Sequence, residues 1–314
     1  MKECAPEIIS FLTSIINRSF KSGCFPSHLQ IAKVIPIYKK GDANLPENYR
    51  PISLLTIFSK IFEKIVFKRV MTFLENHSLI SNCQYGFRPN YSTELAIHCL
   101  TNQIYEVLDK KQYQITVFCD LSKAFDTISH DILLQKLEVC GIRGPALAWF
   151  QSYLSNRKQY VYYQNCISQY REIRYGVPQG SVLGPVLFLL YINDIARSSC
   201  KLNFLLFADD TNVYMASKNL PELVSTMNNE LIHLSNWIRA NKLILNPTKT
   251  YYLLSNQSNY KPNIDIKLDN VTLNRADEAK FLGITIDSRL LWKTHINDVK
   301  VKISKLEFCI RFVI

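Results

Sequence analysis

The sequence predicts an α+β fold. Three observations lead there. Apolar residues recur at helical spacing in several separate segments, as at Ile8, Leu12, Ile15 and Ile16. Short β-branched runs such as "QITVFCD" (Gln114 to Asp120) stand between them. Two further apolar runs, "KLNFLLF" and "TNVYMA", flank Ala208, Asp209 and Asp210 and read as a β-hairpin. At 314 residues, 47% hydrophobic and 20% charged, the chain can bury a core in one large or two modest domains.

Taken in order, residues 5–20 form a helix, and Ala32 to Tyr38 a short strand ending in Lys39, Lys40 and a Gly-Asp turn. Pro51 holds Arg50 extended. Residues 55–76 read as an amphipathic helix with Phe58, Ile61, Phe62, Ile65 and Val66 on one side. Residues 92–111 read as another, opened by Ser92, Thr93 and Glu94. After the strand at 114–120, a helix runs from near Ser129 to Gly141. "KQYVYYQN" and "QYREIRYG" read as two strands over residues 157–175. "GVPQGSVLGPVLFLLYINDI" is a turn entering an apolar helix, where Pro185 fits the first turn. A helix over about 221–241 precedes the extended segments "LNPTKTYYLL" and "KFLGITID".

The net charge of +11 favours a polyanionic partner. The excess is uneven: residues 31–70 carry eight Lys or Arg against three Asp or Glu, a local +5. The nine cysteines show no CxxC spacing, and His98-Cys99 stands isolated, so reduced core thiols are expected rather than zinc. Val182 to Ile192 is about half a membrane span, and the acidic N-terminus lacks the pattern of a signal peptide. These features predict an intracellular protein that does not enter a membrane.

Adjacent aspartates at a hairpin tip repel until a cation arrives. Such a tip suits Mg²⁺, which is held by one or two carboxylates plus substrate phosphates. Asp120, ending a buried strand, is the candidate third carboxylate if its strand lies beside the hairpin. Two-metal chemistry at that site leaves polymerases, nucleases and phosphatases open. A lone Asp-Asp turn can also be a solvated loop.

"FADD", "DLSKAFD" (Asp120 to Asp126) and "GVPQGSVLGPVLFLLYINDI" resemble, in order and spacing, blocks of reverse transcriptases of jockey-like non-LTR retrotransposons. "NYRPISLL", "QYGFRPNYST", "LNPTKT" and "KFLGITID" match as well, so the resemblance spans roughly residues 20–300. It implies a right-hand polymerase fold, with an antiparallel palm sheet backed by helices and the thumb largely absent. The implied division is an N-terminal extension at 1–30, fingers at 31–112, palm at 113–142, a fingers return at 143–175, palm at 176–288 and the start of a truncated thumb at 289–314.

The same resemblance assigns Asp120 and Asp209 to two Mg²⁺ ions (Mn²⁺ as substitute), with Asp210 as the supporting carboxylate. It makes Phe125 a sugar gate that excludes the 2′-hydroxyl. Gln179 and Gly180 would meet the incoming nucleotide, Lys39 and Arg50 its triphosphate, and Lys249 the pyrophosphate. Lys40 is a weaker phosphate candidate. Gln84, Gly86 and Arg88 would contact the template. Lys123 and Asp126 belong to a matched block with no role assigned. The implied partners are an RNA template, a DNA primer and deoxynucleoside triphosphates, in cytoplasm and nucleus as a ribonucleoprotein. A truncated reading frame is expected, because no endonuclease-like segment precedes the blocks. A catalytically silent RNA-binding relic is the alternative, and a two-metal nuclease a third reading.

Overall fold

The computed structural model describes residues 5–258 and 262–311. Helix α1 (Ala5–Ser22) is followed by strands β1 (Ile31–Tyr38) and β2 (Tyr49–Leu54) and by α2 (Ile57–Asn76). Thr56 starts α2: its Oγ1 accepts from Ser59 N at 3.1 Å. Ser92 does the same for α3 (Thr93–Asp109), accepting from Leu95 N at 3.3 Å. Strand β3 (Tyr113–Cys119) ends just before Asp120, and α4 (His130–Val139) follows.

Helix α5 (Pro145–Leu154) goes beyond the expected elements. Gly144, at φ +57, precedes it, and Pro145 suits its first turn because that position has no intrahelical N–H bond to lose. The expected second strand over 157–175 is broken. Strand β4 (Lys158–Tyr163) is continuous, whereas β5 (Cys166–Ile167) and β6 (Arg171–Glu172) are two-residue pieces. Helix α6 (Gly184–Ile192) carries Pro185 in its first turn, as expected.

The hairpin is β7 (Asn203–Phe207) and β8 (Asp210–Ser217), and α7 (Leu220–Ala240) and β9 (Tyr251–Ser255) follow. Short strands β10 (Lys267–Leu268), β11 (Val271–Thr272) and β12 (Asn274–Ala276) come next. "KFLGITID" folds back on itself as β13 (Glu278–Phe281) and β14 (Ile284–Asp287). Leu282 and Gly283, both at positive φ, form the turn that matches strand twist. Helix α8 (Lys293–Arg311) closes the described chain. Residues 1–4 of the expected extension and 312–314 of the expected thumb start lie outside the described residues.

The chain divides into two compact units. The first comprises residues 1–81, 123–194 and 241–244. Its sheet runs β2-β1-β4-β5, with β6 also on β4; β1 pairs antiparallel with β2 and parallel with β4. Helix α1 packs on α5, and α4 on both α5 and α6. Helix α6 is buried nearly all round, which is why its sequence is apolar on every face. Helix α2 buries Phe62, Val66, Val70 and Leu74, but Phe58 is exposed, because the buried stripe runs through Ser59 in the first turn and leaves Phe58 to one side.

The second unit comprises residues 82–122, 195–240 and 245–314. Its sheet has the order β12-β9-β3-β8-β7, antiparallel except for β12 against β9. Helix α3 packs against β3, β7 and β9, and its Ala96, Leu100 and Ile104 join Phe118, Leu205 and Leu253 in one core. Helix α7 packs against β3 and β8. With helices against it, β3 has six of its seven residues buried, which explains a run without polar alternation. These units cut the chain elsewhere than the expected fingers and palm segments. Residues 82–112 fall with the β3 sheet because α3 packs on it.

Cys24, Cys83, Cys99, Cys119, Cys140, Cys166 and Cys200 are free thiols. Cys119 is buried, but Cys24, Cys166 and Cys200 are exposed, which corrects the expectation of core thiols. Cys166 sits in a two-residue edge strand, and Cys24 lies between buried Gly23 and Phe25 just after the end of α1. No helix among the described residues is long and apolar enough to cross a membrane.

Candidate active site

The three aspartates meet at one end of the sheet of the second unit. Strands β3 and β8 pair with Cys119 opposite Thr211, so Asp120 follows in register opposite Asp210. Side chains alternate across a strand, which puts both on the sheet face that carries Phe118 and Asn212. Phe207 pairs with Asp210 across the hairpin, leaving Ala208 and Asp209 as its two-residue turn. The Asp210 carboxyl is raised to about 6, first by burial and then by the charges of Asp209 and Asp120.

The segment "LNPTKT" holds Asp120 from behind. Asp120 N donates to Thr250 Oγ1 at 3.2 Å, and Asn246 N donates to the Asp120 carbonyl at 2.8 Å. Thr250, almost fully buried, donates in turn to the Asn246 carbonyl at 2.8 Å. Lys249 Nζ stands 4.0 Å from Asp120 Oδ2, a partly exposed pair that contributes little stability but keeps a cation beside the carboxylates.

The expected template residues lie beside the aspartate turn. Gln84 is 2% exposed, and its Oε1 accepts from Gly86 N at 2.7 Å and Ala208 N at 3.0 Å. Gly86 is buried too; a Cβ added there would lie 2.3 Å from Ala208 N. Both residues face the aspartate turn, so neither side chain position has surface to offer a template. Arg88 lies over the Tyr91 ring at 4.1 Å, and its Nη1 donates to the Gln84 carbonyl at 3.4 Å.

The remaining predicted residues belong to the first unit. Phe125 stacks on buried Phe188 with ring centroids 4.7 Å apart. Gln179 Nε2 donates to Asp126 Oδ1 and Oδ2 at 2.9 and 3.0 Å. The carbonyl of Gln179 accepts from Ser53 N at 2.7 Å. Gly180, at φ +111, has no room for a Cβ because the Ser53 carbonyl would lie 2.8 Å away. Glycine is required here by the close approach to β2. Lys39 and Arg50 are exposed. Arg50 stands opposite Ile37, and Lys39 N bonds the Asn48 carbonyl, so strand alternation puts both cations on one face of the β1–β2 ribbon. Lys40 is exposed beside them.

Asp126 and Thr250 are contacts that the sequence motifs contain without revealing. Asp126 lies inside the "DLSKAFD" block, but its partner is 53 residues away. Burial raises the Asp126 carboxyl, against the lowering effects of the Gln179 bond and Lys123.

Among the described residues, no three His, Cys, Asp or Glu side chains are gathered tightly enough to hold a metal ion by themselves. The all-oxygen donor set still fits Mg²⁺, because that ion completes its octahedron with water and substrate phosphates. Burial, and after it the charges of Asp209 and Asp120, raise the Asp210 carboxyl, and a cation bound there would favour its ionised form.

Comparison with known proteins agrees with this geometry. A family model described as reverse transcriptase (RNA-dependent DNA polymerase) matches residues 37–286. A probable RNA-directed DNA polymerase from transposon BS of Drosophila melanogaster is 32% identical over 94% of this chain. The RNA-directed DNA polymerase from mobile element jockey, also of Drosophila melanogaster, is 29% identical over 97%. This chain spans about a third of the length of each, 34% in both cases. A telomerase from Candida tropicalis, solved with a fragment of telomeric RNA, superposes with a TM-score of 0.57 at 13% identity. The match covers 91% of this chain and 48% of that one. The telomerase likeness shows a shared right-hand polymerase fold. The chain belongs to the reverse transcriptase (RNA-dependent DNA polymerase) family, on its jockey-like, non-LTR retrotransposon branch.

Proposed function

We propose that this chain is the catalytic part of a mobile element's RNA-directed DNA polymerase, adding deoxynucleotides to a primer 3′-hydroxyl. The observation that carries the reading is the strand pairing that brings Asp120, just past the end of β3, beside Asp209 and Asp210 at the tip of the β7–β8 hairpin. Asp120 and Asp209 would hold two Mg²⁺ ions, with Asp210 beside them. Bound there, the ions would lower the pKa of the primer hydroxyl and neutralise the departing pyrophosphate. Thr250 and Asn246 hold the Asp120 backbone, which fixes the point from which its carboxylate reaches the site. Lys249, beside Asp120, would stabilise the leaving group.

In the first unit, Lys39 and Arg50 would take the triphosphate, and Gln179, oriented by Asp126, the nucleotide's sugar or base. Phe125 would press against C2′ from its stack on Phe188. The partners are an RNA template and a DNA primer, consistent with the +11 charge. Primer extension on an RNA template with deoxynucleotides and Mg²⁺ tests the proposal. Product from the parent chain and none from Asp209→Asn is expected. A parent that binds template and primer yet extends nothing overturns it.

A further inference from the structure

We infer that Gln84 is a positioning residue for the aspartate turn, with the "QYG" segment as its mount. This rests on reading Asp209 and Asp210 as polymerase carboxylates. Two backbone hydrogen bonds fix the segment to β7 and make Gln84 the parallel bridge partner of Leu206: Leu206 N donates to the Cys83 carbonyl at 2.8 Å, and Tyr85 N donates to the Leu206 carbonyl at 2.8 Å. From there the Gln84 side chain reaches the turn. One oxygen takes two amides, Gly86 N from its own segment and Ala208 N from the hairpin tip. The amide orientation follows from the donors: turned over, Gln84 would aim its own N–H groups at two N–H groups.

The turn needs such a mount. Ala208 has φ +56, a left-handed conformation that a residue with a Cβ adopts at a cost. Two adjacent carboxylates load the same turn with repulsion. Both effects favour opening the tip, and a hydrogen bond to Ala208 N opposes that at the residue just before Asp209. Gly86 serves the same contact. Its lack of a Cβ lets the mount lie directly against the Ala208 backbone, where a methyl group would meet nitrogen at 2.3 Å. Gln84 Nε2 is buried with no hydrogen-bond partner, so the side chain is retained there despite an orphaned donor. That cost is accounted for by what the oxygen does.

Gln84→Met keeps the length and removes the acceptor. At saturating template, primer and nucleotide, kcat should fall about 10- to 100-fold, the range for a residue that orients a metal-binding carboxylate. Template KM should stay within about twofold. Amide hydrogen exchange at Ala208 should quicken about tenfold, with α7 amides unchanged. Gln84→Asn keeps the amide one methylene short, so it should lie between parent and Gln84→Met; it stands in if Gln84→Met fails to fold. A raised template KM at unchanged kcat would make Gln84 a template contact and overturn the inference. So would unchanged exchange at Ala208. A parent without polymerase activity sinks the polymerase reading instead, and the exchange measurement then decides the mount separately.

Discussion

Gln179 donates from one amide nitrogen to both carboxylate oxygens of Asp126, at 2.9 and 3.0 Å. Gly176 packs against the backbone of the same residue, where a Cβ would lie 2.7 Å from the Asp126 carbonyl oxygen. Asp126 is therefore the group that aims Gln179. Asp126→Ala should raise the deoxynucleotide KM about tenfold and leave template affinity unchanged, as steady-state kinetics with each substrate varied would reveal. An unchanged nucleotide KM would remove Gln179 from nucleotide binding or Asp126 from its support.

Asp210 gives a pH signature. Its folded carboxyl, at about 6, lies above the ordinary value near 4, so the folded state favours the protonated form. The unfolded chain releases that proton first as pH rises, so stability falls between about pH 4 and 6 and levels off above. Without added Mg²⁺, Asp210→Asn should flatten this decline and raise Tm at pH 7. Solvent access to Asp210 keeps the gain modest. A melting series over pH 4 to 8 checks it; a parallel decline in both proteins would contradict the assignment.

Gly86→Ala forces a methyl group to within 2.3 Å of backbone at Ala208, where no flexible side chain can yield. The expected cost is about 1–3 kcal/mol of stability. Chemical denaturation of the variant and the parent measures it, and equal midpoints would mean that the turn moves freely.

Thr250→Val keeps the shape and removes the hydroxyl that accepts from Asp120 N and donates to the Asn246 carbonyl. A loss of about 1–3 kcal/mol is expected from the unpaired buried groups. Turnover should fall with it, because Asp120 stands at the loosened strand end. Denaturation midpoints and kcat measured together separate the two effects.

Phe125→Ala removes the ring that stacks on Phe188. Ribonucleotide incorporation should rise relative to deoxynucleotide incorporation. Unchanged sugar discrimination, measured by competing the two substrates, would take the gate away from Phe125.

Much of this was legible in the chain. Helices α1, α2, α3, α6 and α7 follow from apolar spacing and caps, because those signals act within a few residues. Helix α5 escaped because "PALAWFQSYL" is apolar without clear periodicity, and the α1 and α4 surfaces that bury it are not local. The broken strand at 166–172 reflects partners available at only two positions each.

The sequence by itself determined the carboxylates: two adjacent aspartates at a hairpin tip and one closing a buried strand are local patterns of charge and period. It determined the family too, through blocks in fixed order. Only the tertiary structure decided what stands behind them. The pairing of β3 with β8 brings Asp120 beside Asp210, whose carboxyl is raised first by burial and then by the charges of Asp209 and Asp120. It also set the Gln84 side chain against Ala208 N, 124 residues along the chain. The physical reason is range: strand period and capping act between neighbours, whereas a hydrogen bond to a distant amide exists only once β7 has been brought beside it.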